Sequence, residues 1–143
     1  MASRREEVIA ALEALVRLAL PFAGTQRDAP WPTRPEPGGR VIIRDGDPGE
    51  PEVTLGVLSY PYTHDIPLEV FGPTGASSRH ELLDDMLTAL GKAIEADRSL
   101  GGLVEWLEPS AAAPDDVVVE GGQPIRAAII TVTAIYSTTS PLG

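Results

Sequence analysis

The chain is predicted to be α+β: a mostly antiparallel β-sheet with two amphipathic α-helices packed on one face, plus a protruding hairpin or loop arm. Three observations predict this. Apolar residues recur at helical spacing in two stretches, one near the N-terminus and one past the middle. Short runs rich in β-branched residues lie between and after them, separated by prolines and glycines. The resulting order of helix, strands, helix, strands suggests that sheet. The 143 residues fit a single domain, 1–143, large enough to fold without staples.

Ser3 to Leu20 forms the first helix. Ser3 and Glu6 have capping-box spacing, and Val8, Ile9, Leu12, Leu15, Val16 and Ala19 make one apolar stripe. Pro21 stops it. Thr25 to Ala29 reads as a short edge strand, followed by a stiff loop carrying Pro30, Pro32, Pro35 and Pro37. Trp31 sits in that loop, either as an anchor to the body or as a contact for a partner. Arg40 to Arg44 is a strand. Asp45 to Glu52, with four carboxylates, two glycines and two prolines, is a solvated loop. Val53 to Tyr60 reads as the next strand. Tyr62 to Phe71 alternates with a period of two and is a half-buried strand, placed at an edge or at a bulge because Pro67 has no N–H to donate.

Gly72 to Ser77 is a turn. Ser78 and Glu81 repeat the capping-box spacing, and Leu82, Leu83, Met86, Leu87, Leu90, Ala93 and Ile94 give the second helix, ending near Asp97. Gly101 and Gly102 suit the left-handed exit from it. Leu103 to Leu107 is a short strand, Glu108 to Asp116 a loop, Val117 to Glu120 a strand, and Gly121–Gly122 a turn or bulge. Gln123 to Thr138 is the longest strand, apolar on both sides near its middle and so central with both faces covered. Ser140 to Gly143 is a tail.

Composition narrows the function. A net charge of −10 with basic residues scattered along the chain disfavours a nucleic-acid groove. Without cysteine there is no disulfide framework, thiol nucleophile or thiolate zinc site. The first 20 residues do not read as a signal peptide, and no apolar run has membrane-spanning length. His64 and Asp65 are strand neighbours and point to opposite faces. His80 and Asp84 share a helix face, with Glu81 or Asp85 beside them, but one helix offers too few converging ligands for a metal. Lys92, the single lysine, sits beside Glu95 and Asp97 and suggests a surface ion pair. No serine lies in a nucleophile elbow, Ser77 and Ser78 read as caps, and no phosphate-binding glycine motif is present. The acidic loop lacks the order of an EF-hand. The expectation is therefore no catalytic residue, no metal and no cofactor.

A distinctive set of segments remains. It comprises the acidic hairpin loop Arg44 to Leu55, the Tyr60-x-Tyr62-x-His64 strand, the helix end Ala96-Asp97-Arg98-Ser99-Leu100-Gly101-Gly102-Leu103, and the close Tyr136 to Gly143 after a long strand. Over nearly the whole chain this resembles the tail terminator proteins of long-tailed phages and, more closely, of the phage-like gene transfer agents of alphaproteobacteria. The resemblance implies a non-enzymatic virion structural protein. Such a protein forms a hexameric ring at the head-proximal end of the tail tube, stops tube polymerisation and offers the head-side joining surface. It implies a homo-hexamer that contacts the tail tube protein and a head-side connector or stopper protein. DNA would pass through the lumen without specific binding, and no membrane is involved. The location implied is the neck of the particle, with the bacterial cytoplasm during assembly. No catalytic residue carries over.

Two features of the residues agree with such a ring. Six copies would carry about −60 formal charge, which repels phosphate from a lumen. Stiff Pro-rich loops lose little entropy on docking. The expected interface residues are Arg44, Asp45, Asp47, Glu50 and Glu52 in the hairpin loop, Trp31 as an anchor, and Tyr136 and Leu142 near the C-terminus. The alternatives are a small-ligand enzyme or binding module of an acyl-transfer kind, or another head–tail joining adaptor. The enzyme alternative predicts that His64, His80, Asp84 and a serine converge in an apolar pocket.

Overall fold

In the computed structural model, which describes residues 2–73, 78–118 and 122–143, two helices cover one face of a six-stranded sheet. Helix α1 spans Arg4–Ala19. Ser3 caps it by accepting the Glu6 N–H at 3.2 Å, while the Glu6 carboxylate is engaged by Arg27 rather than by the Ser3 backbone. Val8, Ile9, Leu12 and Val16 form its buried stripe. Helix α2 spans Arg79–Ala96 and buries Leu83, Met86, Leu90 and Ile94. Its cap, Ser78, reaches the His80 N–H at 3.3 Å instead of the Glu81 N–H. Beyond it Leu100, Gly101 and Gly102 take positive φ, as the two glycines predict.

The strands are β1 (Gly24–Arg27), β2 (Arg40–Ile43), β3 (Tyr60–Phe71), β4 (Trp106–Pro109), β5 (Asp115–Val117) and β6 (Ile125–Thr138). The sheet order is β1-β2-β3-β6-β4, with β5 also paired to β6. β1 lies at the edge, parallel to β2, and every other pairing is antiparallel. The long β3–β6 ladder, from Tyr60↔Thr138 to Phe71↔Ala127, is the backbone of the sheet. Even-numbered residues of both strands, from Tyr62, Ile66 and Leu68 to Val132, Ala134 and Tyr136, join the helix stripes in one core. Each fully buried Leu or Ile there contributes about 1.5–3 kcal/mol.

Several boundaries differ from expectation. β3 is central, between β2 and β6, not an edge strand. The reason is parity. The carbonyls of Pro67 and Pro61 accept from Arg44 N–H at 3.0 Å and Glu52 N–H at 3.2 Å, so both prolines turn their backbone toward β2 and the arm. Their missing donors fall on that side and leave the ladder to β6 intact. The bulge lies opposite. Arg44 pairs with Pro67 and Asp47 with Asp65, so Asp45 and Gly46 together face Ile66. Gly46 has φ +70, and a Cβ there would lie 2.0 Å from the Asp65 carbonyl oxygen.

Val53 to Tyr60 is not a strand. Thr54 and Ser59 bridge each other around the turn at Gly56, φ +106, so the segment folds back on itself, and Tyr60 already opens β3. Leu103 to Val104 curls out of the left-handed exit, so β4 starts at Trp106 and runs to Pro109. β5 starts at Asp115, within the expected loop, and Val118 is unpaired and exposed. Val119, Glu120, Gly121 and residues 74–77, including the expected Ser77 cap and most of the Gly72–Ser77 turn, lie outside the described residues. β6 is central, but its outer face is not fully covered: Ile129 is 53% exposed.

Candidate functional site

Two surface features stand out against the closed core, and they lie at opposite ends of the β3–β6 ladder. The first is the arm between β2 and β3. Its stem is tied on three sides. The Asp45 carboxylate accepts from Arg27 Nη2 at 2.7 Å, and the same guanidinium holds Glu6 on α1. Arg44 pairs with Glu69 on β3 at 2.9 Å. Asp47 exchanges backbone bonds with Asp65 and caps Gly49 N–H at 2.8 Å. The hydrogen bond to Arg27 draws the Glu6 carboxyl below its usual range, and Glu6 with Asp45 raises the Arg27 guanidinium further.

Beneath the stem sits His64, fully buried. The bulge leaves the Asp45 carbonyl outside the ladder, and His64 Nε2 lies 2.7 Å from it. A carbonyl only accepts, so Nε2 carries the proton and Nδ1 accepts the Tyr136 O–H at 2.9 Å. Desolvation lowers the His64 pKa and pushes Tyr136 up to about 12, so both are neutral near pH 7. The Tyr62 ring stacks on Tyr136 at 5.7 Å, and its hydroxyl donates to the Pro141 carbonyl. Arg5 donates to the Leu142 carbonyl at 3.3 Å. The polar chain from the Asp45 carbonyl through His64 to Tyr136 is thus linked by the stacked Tyr62 ring to the C-terminal tail.

The tip is the reverse of the stem. Leu55 and Val57 are 83% and 85% exposed, and Val53 and Leu58 are more than half exposed. Glu50 and Glu52 flank them, exposed and without an ion pair among the described residues.

The second feature is a cleft of about 560 Å³ on the outer face, at the Phe71 end of the ladder. Trp31, Phe71, Val117, Val118, Ala127 and Ile129 line it. Trp31 meets Phe71 edge-on at 5.6 Å and remains 46% exposed, so it serves as an anchor with an open side. Asp116 on the rim is held by Arg79 at 2.9 Å and faces Arg126 at 3.6 Å.

The expected interface residues divide accordingly. Glu50, Glu52 and Leu142 are exposed, and Trp31 is half open. Arg44, Asp45 and Asp47 are engaged within the chain as stem ties. Tyr136 is a correction: it is 1% exposed, because its even parity with Val132 and Ala134 turns it into the core, so it offers no surface. Residue spacing did not reveal the apolar tip or the Phe71 side of the cleft.

The residues that an enzyme would bring together stay apart. His64 is sealed under the sheet, whereas His80 and Asp84 border a shallow, open depression beside Pro114 and Arg126. Among the described residues no group of three or more His, Asp or Glu could hold a metal ion. Lys92 forms no ion pair among the described residues, contrary to expectation. No helix is long and apolar enough to cross a membrane. Comparison with known proteins finds no family model that matches the chain and no curated protein that matches it.

Proposed function

We propose that the protein is a structural ring subunit of a phage-like particle. In this role it is a tail terminator that closes with its own copies into a hexamer on the head-proximal end of the tail tube, halts tube polymerisation and presents the surface to which the head-side connector joins. The observation that carries this reading is the arm. An apolar tip held out on a locked stem is a poor solution for an isolated soluble chain and a natural one for a subunit that buries it against a neighbour. A protruding apolar tip suits a heterologous contact between copies, which closes into a ring where the rotation between copies allows. The acidic balance supports the same reading, since a ring at −10 per copy repels DNA passing its lumen.

Particles assembled without the protein test the role. Overlong or headless tails are expected, restored by supplying the chain, and the ring in intact tails should have six times the 15.1 kDa subunit mass. Tails of normal length that join heads without it would overturn the proposal.

A further inference from the structure

We propose that Arg98 is an edge guard, closing the free side of β4 against a strand added by a second copy. β4 ends the sheet, bonded to β6 on one side and to no strand on the other among the described residues. An uncapped edge of this kind is a template for a further strand. The register shows which groups it would offer. The Ser110 N–H bonds the Thr131 carbonyl at 2.8 Å, so Glu108 and Trp106, of the same parity, turn their backbone groups toward β6. Leu107 and Pro109 turn theirs outward. Pro109 has no N–H to offer there, which leaves Leu107 with the full donor and acceptor pair.

Arg98 covers that residue. Its Nη1 donates to the Leu107 carbonyl at 2.7 Å and to the Glu108 carboxylate at 2.8 Å. Its guanidinium lies 4.4 Å from the centre of the Trp106 ring, and the Trp106 Nε1–H donates to the same Glu108 oxygen at 2.8 Å. The side chain therefore leaves the end of α2, crosses the sheet edge and is held by two exposed residues of the outer face, while Leu107 has no exposed surface. The helix exit sets its starting point. The Asp97 carboxylate accepts the Gly101 N–H at 3.1 Å, and the Ser99 carbonyl accepts the N–H groups of Gly102 and Val104 at 3.0 Å. The segment that ends α2 thus aims Arg98 at the edge as well as stopping the helix. The strand kept out is β4 of a second copy. An antiparallel pair centred on Leu107 is its own complement about a two-fold axis, so the N–H and C=O of Leu107 would exchange with those of the same residue. The inference stands apart from the ring, whose contact uses the arm.

The test uses the Leu55→Asp chain, which removes the arm contact, so that added association reads the edge. In that chain Arg98→Ala should strengthen self-association about tenfold by sedimentation, since two backbone hydrogen bonds become available. Pro109→Thr, which restores an outward N–H, should strengthen it further. Amide exchange separates edge pairing from loose aggregation: the Leu107 amide should exchange more slowly as the Arg98→Ala chain associates. Glu108→Ala loosens the guard without touching the end of α2 and gives a second reading, a rise of about two- to fivefold. Folded Arg98→Ala and Glu108→Ala chains that associate no more than their parent, or associate without slowing Leu107, overturn the guard. An intact ring in which a neighbour's strand pairs with β4 overturns it too. Leu55→Asp chains that still assemble into the ring count against the arm contact alone and leave the guard standing.

Discussion

The stem and the tip of the arm belong to one loop and are held in opposite ways. The stem is bonded to α1, β1 and β3 and rests on a buried histidine, whereas the tip keeps a single bridge, Thr54↔Ser59, and leaves its aliphatic side chains in water. The difference separates two tasks. Contacts in the stem fix the direction in which the tip points, so docking costs less ordering. In the proposed ring, contacts missing from the tip are those a neighbouring copy would supply.

The largest effect should come from removing the support. His64→Leu strips the Asp45 carbonyl and the Tyr136 hydroxyl of their partner, and should cost about 2–4 kcal/mol in urea unfolding. An unchanged midpoint would show that the stem stands without its histidine. Next, Gly46→Ala forces a side chain onto a left-handed backbone and against the Asp65 carbonyl, and should cost about 1–3 kcal/mol by the same measurement.

Acid should act through the same residue. His64 has its pKa lowered by burial, so between its folded pKa and the ordinary value of 6.5 the unfolded chain binds the extra proton. Stability is then fully present above about pH 7 and falls as pH drops, with a slope of at most about 1.4 kcal/mol per pH unit. A His64→Gln variant should lack this slope above pH 5. The Glu6 carboxyl, also lowered by its bond to Arg27, begins to act only below its ordinary 4.5. The smallest effect belongs to the tip: Leu55→Asp should leave the unfolding free energy within about 0.5 kcal/mol, while abolishing ring assembly judged by mass.

Sequence reasoning captured some of this architecture for clear reasons. Both helices were legible because a 3.6-residue period, a serine cap and a terminating Pro or Gly pair all act within one segment. β6 was legible because its β-branched run is long enough to need no help from its partners. β3 was read as an edge strand or a bulged one because a proline was weighed without asking which way its backbone turns, and that depends on the register with β2, where the bulge lies on the facing segment at Asp45 and Gly46. Val53 to Ser59 has strand-like residues, but the turn at Gly56 folds it back on itself, which residue types alone do not show. The acidic stretch was recognised as a solvated loop from composition alone, while the arm was an expectation that came with the resemblance. The His64–Tyr136 contact joins residues 72 apart and exists only once the register sets His64 opposite Ala134. The even parity shared by Tyr62, His64 and Tyr136 with their apolar neighbours was the one available hint. Trp31 drew notice inside its Pro-rich loop, but its contact with Phe71 depends on the fold closing.

Pro61 and Pro67 leave two blanks along the same margin of β3. Among the described residues the backbone of the loop beside them bonds to β3 at Arg44, Asp47 and Glu52, short of a continuous strand. In the proposed ring, a neighbour that pulled on the protrusion would load those few backbone moorings first. The donors that join β3 to β6 face the other way, so a load on the outrigger would leave the frame of the molecule whole.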